Sequence, residues 1–196
     1  MYVLTDQITE TVAPTAYPVT LVEAKAHLRV DITDDDTLIT SLISAATDYC
    51  EMYTQRSLVT RTYRADLPQF WFGQLPMRPI IAISSYKYYD TSSPEALTTW
   101  AASNYQLVNG ILYYTEAASF PSYAYRADAI QITYTAGYAP TSSPEVAAES
   151  VPTAIKSAIL MIIGDLYENR EGKTAGQYYS TNPTVLMLLS NYRVLI

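Results

Sequence analysis

The sequence has very little of the residue types that build catalytic and metal centres. Of its 196 residues, one is histidine, one is cysteine and six are glycine. The single cysteine, Cys50, excludes a disulfide within the chain and fits a reducing compartment. His27 has no partners at the spacing of a zinc site, and the glycines are too scattered for a phosphate-binding loop. We therefore expect no enzyme activity, no metal and no cofactor.

Basic residues and long apolar runs are also scarce. Lysine and arginine number 12 against 19 aspartates and glutamates, so the net charge is −7. A dedicated nucleic-acid-binding protein needs clustered cations, and here the cations are scattered singly. The longest apolar run, residues 158–163, is far shorter than the roughly 20 residues of a membrane span. The N-terminus lacks the pattern of a secretory signal. We expect a protein made and kept in the cytoplasm unless something larger carries it out.

Apolar residues at helical spacing predict two main helices. The first follows the acidic run Asp34–Asp36, whose charge complements a helix N-terminus, and ends near residues 54–56. The second spans Val151–Glu171, with Pro152 in the first turn, where its missing N–H is tolerated, and with Gly172 as the stop. An EF-hand calcium loop is disfavoured for the acidic run, because it would require glycine at position 36 and glutamate at position 42.

Two shorter helices are also predicted. Thr20 and Glu23 form a capping-box pattern that opens a helix ending near Leu28. An apolar segment at residues 183–189 follows a polar loop at residues 173–182 and predicts a short helix near the end of the chain.

The residues between the helices predict an antiparallel β region. Tyrosine, threonine, valine and isoleucine are abundant from residue 58 to 138, with proline, serine and asparagine at the breaks. Strands are predicted at residues 58–67, 80–89, 104–108, 111–114 and 129–136. Asn109–Gly110 predicts a tight hairpin turn, because both positions require positive φ. The 19 tyrosines suit half-buried sheets and protein interfaces, and also a sugar-stacking surface.

These elements predict an α+β fold: two N-terminal helices plus a long C-terminal helix, with an inserted antiparallel β region. The expected organisation begins with an arm at residues 1–18. Residues 19–57 and 151–171 form the helical core, and residues 58–138 form the insertion. A loop, a short helix and a docking tail occupy residues 172–196.

An ordered series of short segments resembles the head–tail connector, or adaptor, proteins of tailed bacteriophages. The segments are residues 19–30 (VTLVEAKAHLRV), 34–36 (DDD), 38–39 (LI), 45–46 (AA) with Tyr49 and Tyr53, 55–58 (QRSL), 75–79 (LPxRP), 104–105 (NY), 134–138 (YxAGY), 151–152 (VP), 155–156 (IK), 158–160 (AIL), 167–171 (YENRE) and 192–193 (YR). Together they cover roughly residues 19–171 and the last few residues. Residues 1–17 and 173–182 lie outside the resemblance.

The resemblance implies a structural role in the virion neck. Such proteins form a ring, typically of twelve subunits, beneath the portal, and they connect the DNA-filled head to the tail. The implied partners are the portal protein, a tail-terminator or other neck or tail protein, and further copies of the chain. Double-stranded DNA would pass through the lumen without specific binding, and no membrane is involved. The alternative function is a non-catalytic carbohydrate-binding module that uses the tyrosine-rich β region.

The expected contact residues follow from the same resemblance. We expect the apolar C-terminal end to dock on the portal, because the sequence suggests few partners for it within its own chain. Its candidate residues are Leu186, Leu189, Tyr192, Arg193, Val194, Leu195 and Ile196. The candidates for contacts between subunits are Tyr86, Tyr88, Tyr89, Tyr113 and Tyr114.

Overall fold

The computed structural model describes residues 8–14, 16–138, 151–169 and 182–194. The chain divides into two compact units. The β unit comprises residues 1–14, 60–137 and 196, and the helical unit comprises residues 15–59 and 138–195. The loop predicted at 139–150, most of the loop at 173–182, the stop at Gly172 and the last two residues lie outside the described residues. Helices and antiparallel sheets together make the fold α+β.

The helical unit begins with the predicted capped helix. Helix α1 spans Leu21–Leu28, and Thr20 accepts a hydrogen bond from the Glu23 backbone N–H at 3.2 Å. The Glu23 carboxylate in turn accepts from the Thr20 backbone N–H at 2.7 Å, which completes the capping box. The helix ends where Arg29 adopts a left-handed conformation. Both the predicted start and the predicted end are confirmed.

Three more helices surround an aliphatic core in this unit. Helix α2 spans Asp36–Thr54, α3 spans Thr153–Glu168, and α4 spans Pro183–Ser190. Their apolar faces meet in one buried cluster that includes Ile43 of α2 and Ile159 of α3, with Leu42 packed at its margin. Pro152 is the N-cap of α3 rather than its first helical residue, and Asn169 caps the other end. None of the helices in the described ranges is long and apolar enough to cross a membrane.

The β unit contains a five-stranded antiparallel sheet with the order β1-β2-β8-β4-β5. The strands are β1 Ile8–Val12, β2 Arg61–Leu67, β4 Ile80–Tyr89, β5 Leu97–Thr99 and β8 Ile130–Ala136. Strand β8 alternates strictly between buried and half-buried residues, and β2 does so from Thr62 onward, as strands with one face in a core do. Strand β1 was predicted as part of an irregular arm. It forms because β2 of the same chain supplies its ladder partners.

A second sheet of three strands completes the β unit. Its order is β3-β7-β6, where β3 is Gly73–Gln74, β6 is Tyr105–Val108 and β7 is Ile111–Tyr114. Asn109 and Gly110 join β6 to β7 with φ of 52° and 73°, which confirms the predicted hairpin turn. The prediction was wrong at Leu58, because this residue belongs to the aliphatic cluster of the helical unit and precedes β2.

Candidate interaction surfaces

A dense group of aromatic rings forms much of the interior of the β unit. Trp100 is buried, and its ring centroid lies 4.9 Å from that of Phe70 and 5.0 Å from that of Tyr86. The Trp100 indole N–H donates to the Ser119 carbonyl oxygen at 2.9 Å. This bond holds the segment between β7 and β8 over the cluster. Packed rings of this kind have few ways to rearrange, so they make a rigid base for whatever the surface presents.

Tyr86 is the centre of that cluster and is wholly buried. Its hydroxyl accepts from the Trp71 backbone N–H at 3.1 Å and donates to the Trp71 carbonyl at 3.2 Å. Burial raises the pKa of the Tyr86 phenol, and the hydrogen bond to Trp71 opposes that shift. Because its side chain contacts only its own unit, Tyr86 is unavailable to another subunit. The structure removes it from the predicted contact residues.

Two other predicted tyrosines of β4 are half-buried in the same unit. Tyr88 packs against the aromatic cluster, with its ring 6.2 Å from Phe70. Tyr89 lies on the opposite face of the strand, where the Arg126 guanidinium covers its ring at 3.7 Å. Both therefore use much of their aromatic area within their own chain.

The remaining two predicted tyrosines are exposed on strand β7. Tyr113 is 45% exposed and Tyr114 is 58% exposed. Successive residues of a strand face opposite sides, so the two rings project from opposite faces of the hairpin. The ring centroid of Tyr114 lies 5.2 Å from that of Phe72 and 6.0 Å from that of Phe120. We call the exposed pair Tyr114 and Phe120, with Phe72 beneath them, the aromatic surface.

Phe120 was not predicted, although it is 50% exposed. It follows the last residue of β7 by six positions, in an irregular segment whose sequence is SFPSYAYR. One signal in the sequence could have indicated its exposure. The segment places aromatic residues among proline, serine and alanine, outside any strand pattern. The same segment carries Tyr125, whose side chain is fully exposed.

The C-terminal segment is bound to its own helical unit up to residue 194. Leu189 is wholly buried in the aliphatic cluster, so it cannot serve as a docking anchor on another protein. The Arg56 side chain donates through Nε to the Tyr192 carbonyl at 2.6 Å, and the Val194 N–H donates to the Thr54 carbonyl at 2.9 Å. The expectation of a tail with few partners of its own is wrong for these residues.

Some of the predicted docking residues nevertheless face outward. Leu186, Tyr192 and Val194 are half-buried, and Arg193 is exposed with its guanidinium 5.4 Å from the Tyr53 ring. Met187, which was not predicted, is 65% exposed on α4. Leu195 and Ile196 lie outside the described residues.

The outward face of α2 lines an open groove of about 680 Å³. The lining includes Tyr17, Asp36, Thr40, Ser41, Ala45 and Asp48. The Thr40 and Ser41 hydroxyls donate to backbone carbonyls one turn earlier, each at 2.7 Å. Asp36 accepts from Lys25 Nζ at 2.6 Å. We call this feature the α2 groove. Its walls combine one aromatic ring with hydroxyl and carboxylate oxygens.

The next feature is the placement of the side chains that could hold a metal or act as a nucleophile. Within the described ranges, no group of three or more histidine, cysteine, aspartate or glutamate side chains could bind a metal ion. Cys50 is buried in the helical unit, and this burial, helped by the charge of Glu51, raises its pKa to about 12. A thiol held in its protonated form is a poor nucleophile.

The sequence matches the model of the phage gp6-like head–tail connector protein family over residues 18–117. No curated protein matches the chain significantly. Among solved structures, the chain is similar to one in the neck of an empty GTA particle computed with C6 symmetry, with 21% identity and a TM-score of 0.74.

Two further structures show the same likeness. One is the virion of a native gene transfer agent (GTA) particle, with 20% identity and a TM-score of 0.75. The other is the neck of a native GTA particle computed with C12 symmetry, with 20% identity and a TM-score of 0.72. In all three the alignment covers 96% of both chains. The fold is therefore shared with those chains over most of its length.

Proposed function

Because the chain belongs to the phage gp6-like head–tail connector family, we propose that it is a non-catalytic structural adaptor in the neck of a virion. Copies of the chain form a ring beneath the portal and connect the DNA-filled head to the tail. The observation that carries this proposal is the family match over residues 18–117. Neck structures with C6 and C12 symmetry contain chains of the same fold, which supports a ring.

The aromatic surface is the best candidate for contacts within the ring. Tyr114 and Phe120 are half exposed and rest on Phe72, which in turn contacts the buried Trp100. Rigid aromatic side chains lose little conformational entropy on binding and are enriched at the centres of protein interfaces. Of the predicted tyrosines, Tyr113 and Tyr114 both stay candidates, but on opposite faces of the hairpin.

The charge of the chain suits a channel for DNA. An acidic ring repels the phosphates of a duplex, so the genome passes without being held. Most of the excess charge belongs to the helical unit, which has twelve acidic and seven basic residues, a net charge of −5. The protein is made in the host cytoplasm and ends in the virion, at the junction between head and tail.

The C-terminal segment is the proposed contact with the portal, while a tail-terminator or another neck protein binds the far side of the ring. The bonds from Arg56 to Tyr192 and from Val194 to Thr54 hold the segment on the helical unit up to residue 194. Between these two bonds, Arg193 is exposed. A segment that is anchored in this way needs less ordering when it binds.

Electron microscopy of the purified protein, alone and mixed with its portal protein, tests the proposal. We expect rings, or portals that carry one additional layer of density. Adaptors can assemble only on their template, so the mixture is the decisive sample. Portals that stay undecorated at high adaptor concentration would overturn the proposal.

Two sets of variants then assign the surfaces. Tyr114→Ser should weaken ring formation on portal by at least about tenfold, and Tyr113→Ser on the other face reports which side of the hairpin is used. Truncation after Val194 keeps both backbone anchors of the segment and should reduce portal binding. Val22→Ser, at a residue of α1 that is 77% exposed, is the matched control. Unchanged portal binding by the truncated chain would exclude the C-terminal contact.

A further inference from the structure

We propose that residues 54–56, at the end of α2, form a latch that positions Arg193 to bind a carboxylate of the portal protein. This role rests on the portal contact proposed for the C-terminal segment, and it gives that contact a chemistry. Two short segments of the sequence, residues 55–58 (QRSL) and 192–193 (YR), are bonded to each other here. Arg56 and Tyr192, which join them, lie 136 positions apart.

The turn that ends α2 fixes the direction of Arg56. Gln55 adopts a left-handed conformation with φ of 56°, and its backbone N–H donates to the Glu51 carbonyl. The Arg56 N–H donates to the same carbonyl at 3.3 Å, and the Gln55 side chain donates to the Met52 carbonyl at 2.8 Å. These bonds satisfy carbonyls at the end of the helix. The direction of the latch is therefore set by α2 itself.

The C-terminal segment is bonded to this turn on both sides of Arg193. Before it, Arg56 donates through Nε to the Tyr192 carbonyl at 2.6 Å. A hydrogen bond from a guanidinium to a carbonyl is charge-assisted and therefore stronger than one between neutral groups. After it, the Val194 N–H donates to the Thr54 carbonyl at 2.9 Å. The backbone of Arg193 is thus held between two fixed points.

The Arg193 side chain is placed but keeps its hydrogen-bond donors available. Its guanidinium lies 5.4 Å from the centroid of the Tyr53 ring, and Tyr53 stacks on Tyr49, one turn earlier in α2. A cation over an aromatic ring at an exposed site is held only weakly. Arg193 is exposed, and within the described ranges its guanidinium forms no ion pair. Its N–H donors are therefore free to bind a group of another molecule.

A carboxylate is the group that fits this guanidinium best. The planar fork of arginine donors matches the two oxygens of a carboxylate, and also those of a phosphate. The helical unit has a net charge of −5. That charge opposes a DNA duplex, which carries a phosphate on every nucleotide, far more than it opposes one carboxylate on a folded protein. A carboxylate of the portal protein is therefore favoured over the DNA backbone.

The latch lowers the cost of this contact. A long side chain on an unattached chain end would lose both backbone and side-chain freedom when it bound. Here the backbone bonds and the Tyr53 ring have already restricted Arg193, so less freedom is lost on binding. Arg56 acts as a positioning residue, because its guanidinium is bonded to the Tyr192 carbonyl of its own chain.

Binding of full-length variants to purified, DNA-free portal protein tests the role of Arg193. Arg193→Gln should weaken binding about tenfold, because charge-assisted hydrogen bonds are lost. Arg29→Gln, which removes the same charge at another exposed arginine of the helical unit, is the control and should leave affinity unchanged. Added salt should weaken the wild type more steeply than Arg193→Gln. Equal affinities of wild type and Arg193→Gln, or a difference that appears only when DNA is present, would overturn the inference.

Arg56→Gln tests the positioning role. Portal affinity should fall about threefold or more, because a smaller fraction of the chains holds the segment in its binding conformation. Arg56→Lys, which can still donate to the Tyr192 carbonyl, should restore most of the affinity. In a chain that already carries Arg193→Gln, the Arg56→Gln change should cause little further loss, because both act on one contact. Fully additive losses would contradict positioning, since a merely structural role of Arg56 would not depend on Arg193.

Carbodiimide crosslinking identifies the group that is bound. This reagent joins an amine to a carboxylate with loss of water, so Arg193→Lys supplies the amine at position 193. On assembled portal we expect a crosslink from that position to an aspartate or glutamate of the portal protein. Arg29→Lys is the control and should give none. A crosslink from position 193 to another adaptor chain only, or none while the variant remains bound to portal, would overturn the inference.

Failure of this inference is distinguishable from failure of the proposed function. If truncation after Val194 weakens portal binding but Arg193→Gln binds as the wild type does, the latch has no role in recognition and the proposed function stands. A wild-type chain that does not decorate portal overturns both.

Discussion

The two units of this chain form their hydrophobic cores from different residue types. The helical unit uses isoleucine, leucine, valine and alanine on four helices, and it has a net charge of −5. The β unit contains sixteen of the aromatic residues, including all three phenylalanines and both tryptophans. It has seven acidic and five basic residues, a net charge of −2.

The difference indicates that the helical unit mainly supplies stability and that the β unit presents the surface for recognition. Aliphatic side chains are useful only when buried, and the helical unit buries them. Aromatic side chains keep a useful face when half exposed, and the β unit continues its core to the surface through Phe72, Tyr114 and Phe120. Both tryptophans lie in the β unit, so their fluorescence monitors that unit, whereas circular dichroism at helix wavelengths monitors the other. The two signals therefore distinguish a loss in one unit from a loss in the other.

The largest effect is expected from the aliphatic core. Ile159→Ala removes a wholly buried side chain of α3 and leaves a cavity among Ile43 and its neighbours. Such a substitution lowers the free energy of unfolding by about 2–5 kcal/mol. Urea denaturation followed by circular dichroism should show it. Met187→Ala, on the exposed side of α4, should cost less than about 0.5 kcal/mol. Equal losses in the two variants would contradict the packing described for the helical unit.

A smaller effect is expected in the aromatic core. Tyr86→Phe keeps the ring but deprives the Trp71 backbone N–H and carbonyl of their hydrogen-bond partner. Leaving such groups without a partner costs about 1–3 kcal/mol, which tryptophan fluorescence should detect as a lower midpoint of unfolding. Tyr114→Phe removes a hydroxyl from an exposed ring and should change the midpoint very little. An unchanged midpoint in Tyr86→Phe would show that the Tyr86 hydroxyl bonds do not contribute to stability.

Raising the pH into the alkaline range should lower the stability of the two units from different pH values. Burial raises the pKa of Cys50 to about 12 and raises the pKa values of Tyr86 and Tyr134. A group whose pKa is raised by folding stabilises the protein fully below its unfolded pKa, and this contribution is lost as the pH rises. The loss should therefore begin near pH 9 for the thiol and near pH 10 for the phenols.

Cys50→Ala isolates the first part of that loss. Between pH 9 and 10 the wild-type protein should lose about 1 kcal/mol more stability than the variant, because about 1.4 kcal/mol accompanies each pH unit of differential ionisation. Unfolding in urea, followed by circular dichroism at each pH, gives both curves. Parallel curves would mean that the Cys50 thiol ionises as easily in the folded protein as in the unfolded protein.

Much of the fold could be predicted because local chemistry and tertiary packing agree. The capping box at Thr20 and the Asn109–Gly110 turn are decided by residues within four positions of one another. Helix α2 shows its buried face in its periodicity. Strand β1 could not be predicted, because residues 8–12 pair with residues at least 50 positions away and show no alternation of their own.

The candidate contact residues were harder to predict, because exposure depends on the whole fold. A strand pattern cannot tell which of Tyr86 and Tyr114 is buried, since both occur in tyrosine-rich strands. The cover over Tyr86 comes from Phe70, Phe72 and Trp100 on other segments. Likewise, the partners of the C-terminal segment, Thr54 and Arg56, precede it by more than 130 residues. The sequence suggested a tail with few partners of its own, because these residues lie far away along the chain.

The smallest expected effect concerns one end of the helical unit. Thr20→Ala removes the hydroxyl that accepts from the Glu23 N–H at 3.2 Å and donates to the Glu23 carboxylate at 2.9 Å. The Glu23 carboxylate keeps its bond from the residue-20 backbone N–H and its contact with Lys156 at 3.5 Å. Loss of an N-cap costs about 1 kcal/mol, and Thr20→Ser should restore most of it, because serine also accepts from the N3 backbone N–H. Circular dichroism should show a lower midpoint for alanine only, and tryptophan fluorescence should report no direct loss of the aromatic core. An unchanged midpoint in the alanine variant would mean that packing of Ala24 against its neighbours already holds α1 in place.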